Sequence, residues 1–126
     1  MHKSRLGGLI IDCKTEDLDG AAQFWGTALG CAIAENVEDG KYVGLHHTDK
    51  NEPHVEAQKV DHESRVHIDI ETDDIEAEAA RLEKIGAKRI TAIKTWVVME
   101  APTGQRFCLV SPQRENFDQE ANQWNE

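Results

Sequence analysis

The residues 65–74, RVHIDIETDD, alternate polar and apolar side chains in the manner of a β-strand. Successive side chains of a strand point to opposite faces, so His67, Asp69 and Glu71 would share one face. A neutral imidazole on such a face can act as a general base or donate a hydrogen bond to a ligand oxygen. We therefore interpret His67 and Asp69 as candidate catalytic residues. The alternative is that His67 only faces solvent.

An internal repeat gives these residues a place in a fold. Residues 16–30, EDLDGAAQFWGTALG, resemble residues 73–87, DDIEAEAARLEKIGA, and Asp17 matches Asp74 at an offset of 57 residues. Apolar residues recur at helical spacing in both copies, which predicts one amphipathic helix in each. An aspartate near the start and a glycine at the end are typical of a helix N-cap and a C-terminal stop.

Strand-like segments surround each predicted helix in the same order, one before it and three after it. A helix between strands packs on one face of a sheet, so the opposite faces of the two units must cover each other or enclose something. In the C-terminal tail, helical spacing of Phe117, Ala121 and Trp124 predicts a short helix docked on the body or on a partner subunit. The predicted strands are residues 5–13, 31–35, 41–47 and 54–60, then 65–71, 87–93, 95–101 and 106–111.

The duplicated units, together with DDIEAEAARLEKIGA and the late APTGQRFCLV, resemble the vicinal oxygen chelate superfamily over roughly residues 5–111. This superfamily contains glyoxalase I, extradiol dioxygenases, and fosfomycin- and bleomycin-resistance proteins, and the second half resembles its poorly characterised glyoxalase-like members. The resemblance implies an α+β fold in which two βαβββ modules form a curved mixed sheet around a central cavity. It implies no single function, because the superfamily includes lyases, isomerases, oxygenases, transferases and plain binders.

The resemblance also implies how the chain is divided. It describes a single domain, residues 1–126, built of repeat 5–60 and repeat 65–111, with a tail at residues 112–126. Ala101 and Gln105 depart from the Asp-Pro-x-Gly-Asn turn that the superfamily often carries there.

Relatives that bind metal carry four ligands, one on the first and one on the last strand of each module. Counted from the helix-start aspartates, the resemblance places Ile10, Glu56, His67 and Cys108 at these positions. Ile10 has no donor atom, which excludes the usual iron triad of two histidines and a carboxylate. A zinc site of Glu56, His67 and Cys108 stays open if Cys108 is a thiolate. The alternative is a buried, inert thiol.

Three further residues are candidates for lining a ligand pocket. Asp12 matches Asp69 across the repeat, and two such carboxylates could share a proton or hold a cationic ligand; alternatively, each only caps local backbone or meets water. His54 shares a strand face with Glu56. Trp96 is either a stacking wall for a ligand or part of the core.

The composition excludes several function classes. A net charge of −10, from 14 basic and 24 acidic residues, argues against binding to nucleic acid or to an anionic membrane. No apolar run approaches the roughly 20 residues of a membrane span, and no apolar stretch of a signal peptide follows MHKSRLGG. Three widely spaced cysteines without a CxxC motif indicate reduced thiols in a cytoplasm. His2 is expected to lie in an exposed segment.

These observations lead to one principal hypothesis and two alternatives. The principal hypothesis is a metal-free, small-molecule-binding protein of the glyoxalase or bleomycin-resistance type, with its ligand in the sheet cavity and a homodimeric assembly. The first alternative is an enzyme, either a divalent-metal-dependent lyase or isomerase that uses Glu56 and His67, or an acid–base catalyst that uses His67 with Asp69. The second alternative is a regulatory or scaffold module with a vestigial pocket.

Overall fold

The computed structural model describes residues 1–37, 40–46 and 52–125. Over these residues the order strand, helix, three strands occurs twice, which confirms the predicted α+β arrangement of two βαβββ modules. No helix among them is long and apolar enough to cross a membrane. The elements are β1 (His2–Lys14), α1 (Leu18–Leu29), β2 (Ala32–Val37), β3 (Tyr42–His46), β4 (His54–Val60), β5 (Arg65–Thr72), α2 (Ile75–Lys84), β6 (Lys88–Ile93), β7 (Trp96–Glu100), β8 (Arg106–Val110), α3 (Phe117–Glu120) and β9 (Asn122–Trp124).

The chain divides into two compact units whose boundary cuts β1. The N-terminal unit is Gly8–Val66, and the C-terminal unit combines Met1–Gly7 with His67–Glu126. The first seven residues therefore belong with the second half of the chain, whereas the sequence repeat assigns residues 5–7 to the first half. The division into repeats 5–60 and 65–111 within a single domain stays a prediction.

The N-terminal unit contains the strand order β2-β3-β4-β1, with β1 parallel to β4 and the other neighbours antiparallel. The Asp17 carboxylate accepts a hydrogen bond from the Gly20 N–H and starts α1, and Gly30 ends the helix in the left-handed conformation with φ 69°. Both predicted helix signals are thus confirmed. The buried apolar residues form one cluster between helix and sheet: Cys13, Leu18, Ala22, Val43, Leu45, Val55 and Ala57.

The C-terminal unit contains the strand order β5-β8-β7-β6, in which β5 and β8 are parallel. The Asp74 carboxylate caps α2 by accepting from the Ala77 N–H, as predicted. Acidic residues in the first turn of α2 and basic residues in the last turn complement the helix dipole. The buried cluster under this helix consists of Ala79, Leu82, Met99 and Leu109.

A buried carboxylate ties the N-terminal residues to α2. Glu78 has no solvent exposure, and its oxygens lie 2.8 Å from His2 Nε2 and 2.7 Å from Ser4 Oγ, which donates. Arg81 completes the shell with two donated hydrogen bonds of 2.9 and 2.8 Å. His2 is only 3% exposed, so the expectation of an exposed residue is wrong. His2 is buried because it lies against the Glu78 carboxylate. A buried carboxylate needs hydrogen-bond donors around it, and His2 is one of them.

The C-terminal tail joins the same network through Trp124. Its indole N–H donates to Ser4 Oγ over 2.8 Å, and the Arg81 guanidinium stacks 3.8 Å from the ring centroid. The helix α3 ends at Glu120, and Trp124 lies in β9, which pairs antiparallel with β1 so that His2 faces it. The predicted short helix is thus present at Phe117–Glu120, with Phe117 buried. Its extension to Trp124 is wrong, because strand pairing with β1 determines the conformation of the tail's end.

The Glu78 network sets the protonation of its carboxyl group. Burial by itself would raise the pKa of Glu78, but hydrogen bonds from Arg81, His2 and Ser4 outweigh burial and lower it. A carboxyl with a lowered folded pKa stabilises the fold at pH above about 4.3, the ordinary glutamate value, and this contribution is lost as pH falls through the folded pKa.

We predict that Glu78→Gln lowers the free energy of unfolding by about 2–4 kcal/mol at neutral pH, because the amide leaves charged donors without an anion. Urea unfolding at neutral pH measures the loss. The difference from the parent protein should shrink below pH about 4.3, where the unfolded carboxyl takes up a proton, and should be lost as pH falls through the lower pKa of the folded carboxyl.

The matched control is Glu76→Gln on the same helix. Glu76 is a largely exposed partner of Arg89, so its loss should cost no more than about 1 kcal/mol. Equal destabilisation by the two substitutions would show that the buried network contributes nothing beyond a surface ion pair.

Candidate functional site

Three side chains of different chemistry meet in the C-terminal unit. In the parallel register of β5 and β8, Asp69 is opposite Cys108, and His67 stands two residues before Asp69 on the same strand face. One ligand atom from each of His67, Asp69 and Cys108 lies within 4.8 Å of the others. The structure thus brings together both predicted catalytic residues and one predicted pocket residue, which we call the His-Asp-Cys group.

One carboxylate oxygen of Asp69 is buried, and its surroundings indicate what this group could bind. The His67 and Asp69 side chains are each 14% exposed, and His67 Nε2 lies 3.5 Å from Asp69 Oδ1. Within the described residues, Asp69 Oδ1 accepts no hydrogen bond. Buried carboxylate oxygens are normally paired, so this oxygen favours a ligand or a cation at the group.

The donor set matches the ligand classes of zinc. Imidazole nitrogen, carboxylate oxygen and thiolate sulfur are its ordinary protein ligands, and three of them leave an open position typical of catalytic sites. The group therefore fits a divalent metal by its chemistry. It differs from the predicted set of Glu56, His67 and Cys108 in that Asp69 supplies the carboxylate within this unit.

A second carboxylate on the same face of β5 has a structural role. Glu71 is fully buried and accepts hydrogen bonds from Arg5 Nε at 2.6 Å, from Arg114 Nε at 3.0 Å and from the Gln113 N–H at 2.5 Å. Gly7 is needed beside it, because an added Cβ would lie 2.9 Å from Glu71 Cβ. Sequence reasoning missed this role, since no local pattern links Glu71 to an arginine 43 residues later.

The N-terminal unit carries a separate polar strand face on β4. His54 Nε2 lies 3.3 Å from Glu56 Oε2, and both side chains are about three-quarters buried. Gln58, on the same face, donates a 3.0 Å hydrogen bond to the Tyr42 hydroxyl. In the register with β1, Glu56 is opposite Ile10, which is 1% exposed and offers no donor atom. The predicted pocket residues His54 and Glu56 are therefore neighbours.

Two of the predicted residues remain, Asp12 and Trp96. The Asp12 side chain is 2% exposed and has Arg65 Nε at 3.6 Å and His62 Nε2 at 3.9 Å within its own unit. This cationic environment favours an ion-pairing role for Asp12. Trp96 is half-buried at the start of β7, opposite Ile93, and its role as a stacking wall stays a prediction.

Residues 8–110 match the model of the Glyoxalase-like domain family. The chain belongs to this family. The match covers both helix-containing modules, including the His-Asp-Cys group, and confirms the resemblance to the vicinal oxygen chelate superfamily. Among proteins of curated function, none matches the sequence significantly.

Solved structures share the glyoxalase-like fold at low identity. A methylmalonyl-CoA epimerase in complex with methylmalonyl-CoA and NH4+ is 17% identical, with a TM-score of 0.63 over 87% of this chain and 95% of that chain. The epimerase from Mycobacterium tuberculosis is 14% identical, with a TM-score of 0.65 over 87% and 89%. A hypothetical protein from Bacillus halodurans C-125 is 15% identical, with a TM-score of 0.63 over 90% and 99%. At such identities the likeness shows the fold alone.

The three cysteines differ in their surroundings. Cys13 is buried, and burial raises the pKa of its thiol, with the neighbouring Asp12 charge adding to the shift. Cys31 and Cys108 are only partly buried. The thiolate is the nucleophile, so a raised pKa lowers the reactive fraction of Cys13 at neutral pH.

We predict that iodoacetamide modifies Cys13 in the native protein at least about tenfold more slowly than Cys31 near pH 8, because burial restricts access to the Cys13 thiol and raises its pKa. Peptide mass spectrometry after timed quenching gives the rates. In urea all three cysteines should react alike, and equal native rates for Cys13 and Cys31 would contradict the described burial.

Proposed function

We propose that this glyoxalase-like protein binds a small molecule at the His-Asp-Cys group, on the polar face of β5 and β8. The observation that carries the proposal is the convergence of His67, Asp69 and Cys108 within 4.8 Å, with a buried carboxylate oxygen that lacks a hydrogen bond among the described residues. A ligand that presents a donor or a cation to Asp69 would satisfy this oxygen.

The chemistry of the group favours a ligand with a carbonyl or carboxylate. His67 can donate to a ligand oxygen or remove a proton from a carbon beside a carbonyl, and Asp69 at 3.5 Å can stabilise the imidazolium that forms. Glu71 takes no part in this chemistry, because Arg5 and Arg114 already hold its carboxylate.

A second candidate function is a divalent-metal-dependent lyase or isomerase, and the donor set favours it. His67, Asp69 and Cys108 would hold the metal, and the bound ion would supply Lewis-acid polarisation of a substrate oxygen. Structures of methylmalonyl-CoA epimerase, an isomerising enzyme by name, share the fold. This candidate replaces the predicted carboxylate Glu56 by Asp69.

Two other properties accompany the proposal. Reduced cysteines without a CxxC motif support a cytoplasmic location. A homodimer also stays part of the proposal, and sedimentation of the purified protein would measure it.

We predict that protein purified without a histidine tag binds Co²⁺ with the near-ultraviolet charge-transfer band of a thiolate ligand, if the metal candidate is right. Cys108→Ser should abolish the band, and His67→Ala should weaken binding by at least about tenfold, because each removes one of three ligands. His54→Ala is the matched control and should bind as the parent does.

Elemental analysis of the same preparations separates the two candidates. Stoichiometric zinc, nickel, manganese or iron that is lost in Cys108→Ser would support the metal-dependent function. If neither elemental analysis nor Co²⁺ titration shows metal at this group, that function is wrong.

The binding proposal has its own test in a thermal-shift screen of carboxylates, coenzyme A thioesters and antibiotics. Stabilisation by a compound should disappear in His67→Ala and Asp69→Asn and persist in His54→Ala. Stabilisation that survives both changes at the group would place the ligand elsewhere.

A further inference from the structure

An open cavity of about 860 Å³ lies in the N-terminal unit, and none of its lining residues belongs to the His-Asp-Cys group. It opens where the parallel strands β1 and β4 end, since Lys14 and Val60 are the last residues of these strands and face each other in the register. Its volume falls in the range of roughly 300–1,000 Å³ that is typical of small-molecule sites. Neither the predicted pocket nor the proposed function uses this space.

Three lysines from three chain segments line the cavity. Lys14 ends β1, Lys41 lies in the turn before β3, and Lys59 lies in β4. The Lys59 N–H donates to the Lys41 carbonyl over 2.8 Å, which holds two of these segments together. Such a concentration of ammonium groups is unexpected in a protein with a net charge of −10. We call this cavity the lysine pocket.

The carboxylates that pair with the lysines of the lysine pocket are exposed, so these ion pairs are weak and the ammonium groups stay available to an anion. Lys59 pairs with Glu16 at 3.3 Å and Lys14 with Glu63 at 3.2 Å, but the two glutamate side chains are 98% and 93% exposed. Ion pairs of this kind contribute about 0–1 kcal/mol, so an anion with more charge can displace them. Lys41 has no ion pair among the described residues.

The other lining groups suit a phosphate. The Gln58 amide and the Thr15 hydroxyl can donate hydrogen bonds. A phosphate monoester has three oxygens and nearly two negative charges at neutral pH, so it can contact ammonium groups from several directions. A planar carboxylate has one charge and two oxygens. Glu16 and Asp61 also line the cavity, so three positive and two negative groups give the lining a net charge of +1. Binding of an anion therefore depends on direct contact with the three ammonium groups.

We propose that the lysine pocket binds the phosphate group of a small phosphorylated molecule. Lys14, Lys41 and Lys59 supply the charge, and the remaining cavity volume accommodates the organic part of the ligand. This site is independent of the function proposed for the His-Asp-Cys group, because its lining residues all belong to the N-terminal unit.

Titration of inorganic phosphate and pyrophosphate into ¹⁵N-labelled protein at constant ionic strength tests the proposal. The expected result is a saturable shift of the backbone amides of Gly40, Lys41 and Lys59, with pyrophosphate binding more tightly than phosphate. Acetate at equal ionic strength should leave these amides in place. Shifts confined to other residues, or equal shifts with acetate, would overturn the proposal.

Variants assign the binding to the lysines. The double substitution Lys41→Gln with Lys59→Gln should lower pyrophosphate affinity by at least about tenfold, because it removes two charged contacts. The matched control is Lys88→Gln on the exposed strand β6, which should retain parent affinity. Unchanged affinity in the double variant, with its spectrum still well dispersed, would contradict the assignment.

The two proposals can fail separately. His67→Ala should leave pyrophosphate binding unchanged, since His67 belongs to the other unit. Loss of pyrophosphate binding in His67→Ala would place the anion at the His-Asp-Cys group and overturn the lysine pocket.

Discussion

Two carboxylates without solvent contact, Glu71 and Glu78, determine how the C-terminal unit is put together. A buried charge costs several kcal/mol unless cations and hydrogen-bond donors surround it. Arg5 and Arg114 surround Glu71, and Arg81 with His2 and Ser4 surrounds Glu78; these partners come from both ends of the chain. The terminal segments are therefore structural parts of this unit.

The same constraint separates structural from chemical carboxylates on β5. Glu71 and Asp69 lie two residues apart on one strand face, yet among the described parts of the chain only Glu71 has arginine partners. The buried Oδ1 of Asp69 lies 3.5 Å from His67 Nε2 and accepts no hydrogen bond among the described residues. Because Glu71 also fixes the backbone at Gln113, the strand end beside the His-Asp-Cys group is held firmly. A rigid support of this kind keeps reactive side chains in place.

Local sequence signals predicted most of the fold. Asp17 and Asp74 cap the helices as expected, and the alternation in RVHIDIETDD places His67 and Asp69 on one face, because caps and strand periodicity depend on near neighbours. The meeting of Asp69 with Cys108 depends on the register of β5 and β8, which no local pattern specifies.

Long-range pairing also explains the wrong expectations. His2 has a polar side chain near a chain end, which is typical of exposure, and only the distant Glu78 makes it buried. Trp124 has helical spacing with Phe117, yet pairing of β9 with β1 puts it in a strand. The sequence did not predict the lysine pocket for the same reason. Lys14, Lys41 and Lys59 are far apart in sequence, and each by itself resembles an ordinary surface residue.

The pairing of β9 with β1 places His2 directly opposite Trp124, so the first and last strands run side by side. A short peptide could connect these two strands, because their paired residues lie next to each other. New ends could then be opened in an exposed turn, such as the one around Gly104 between β7 and β8. In a circular permutant of this kind β1 and β9 would be consecutive antiparallel strands joined by a loop.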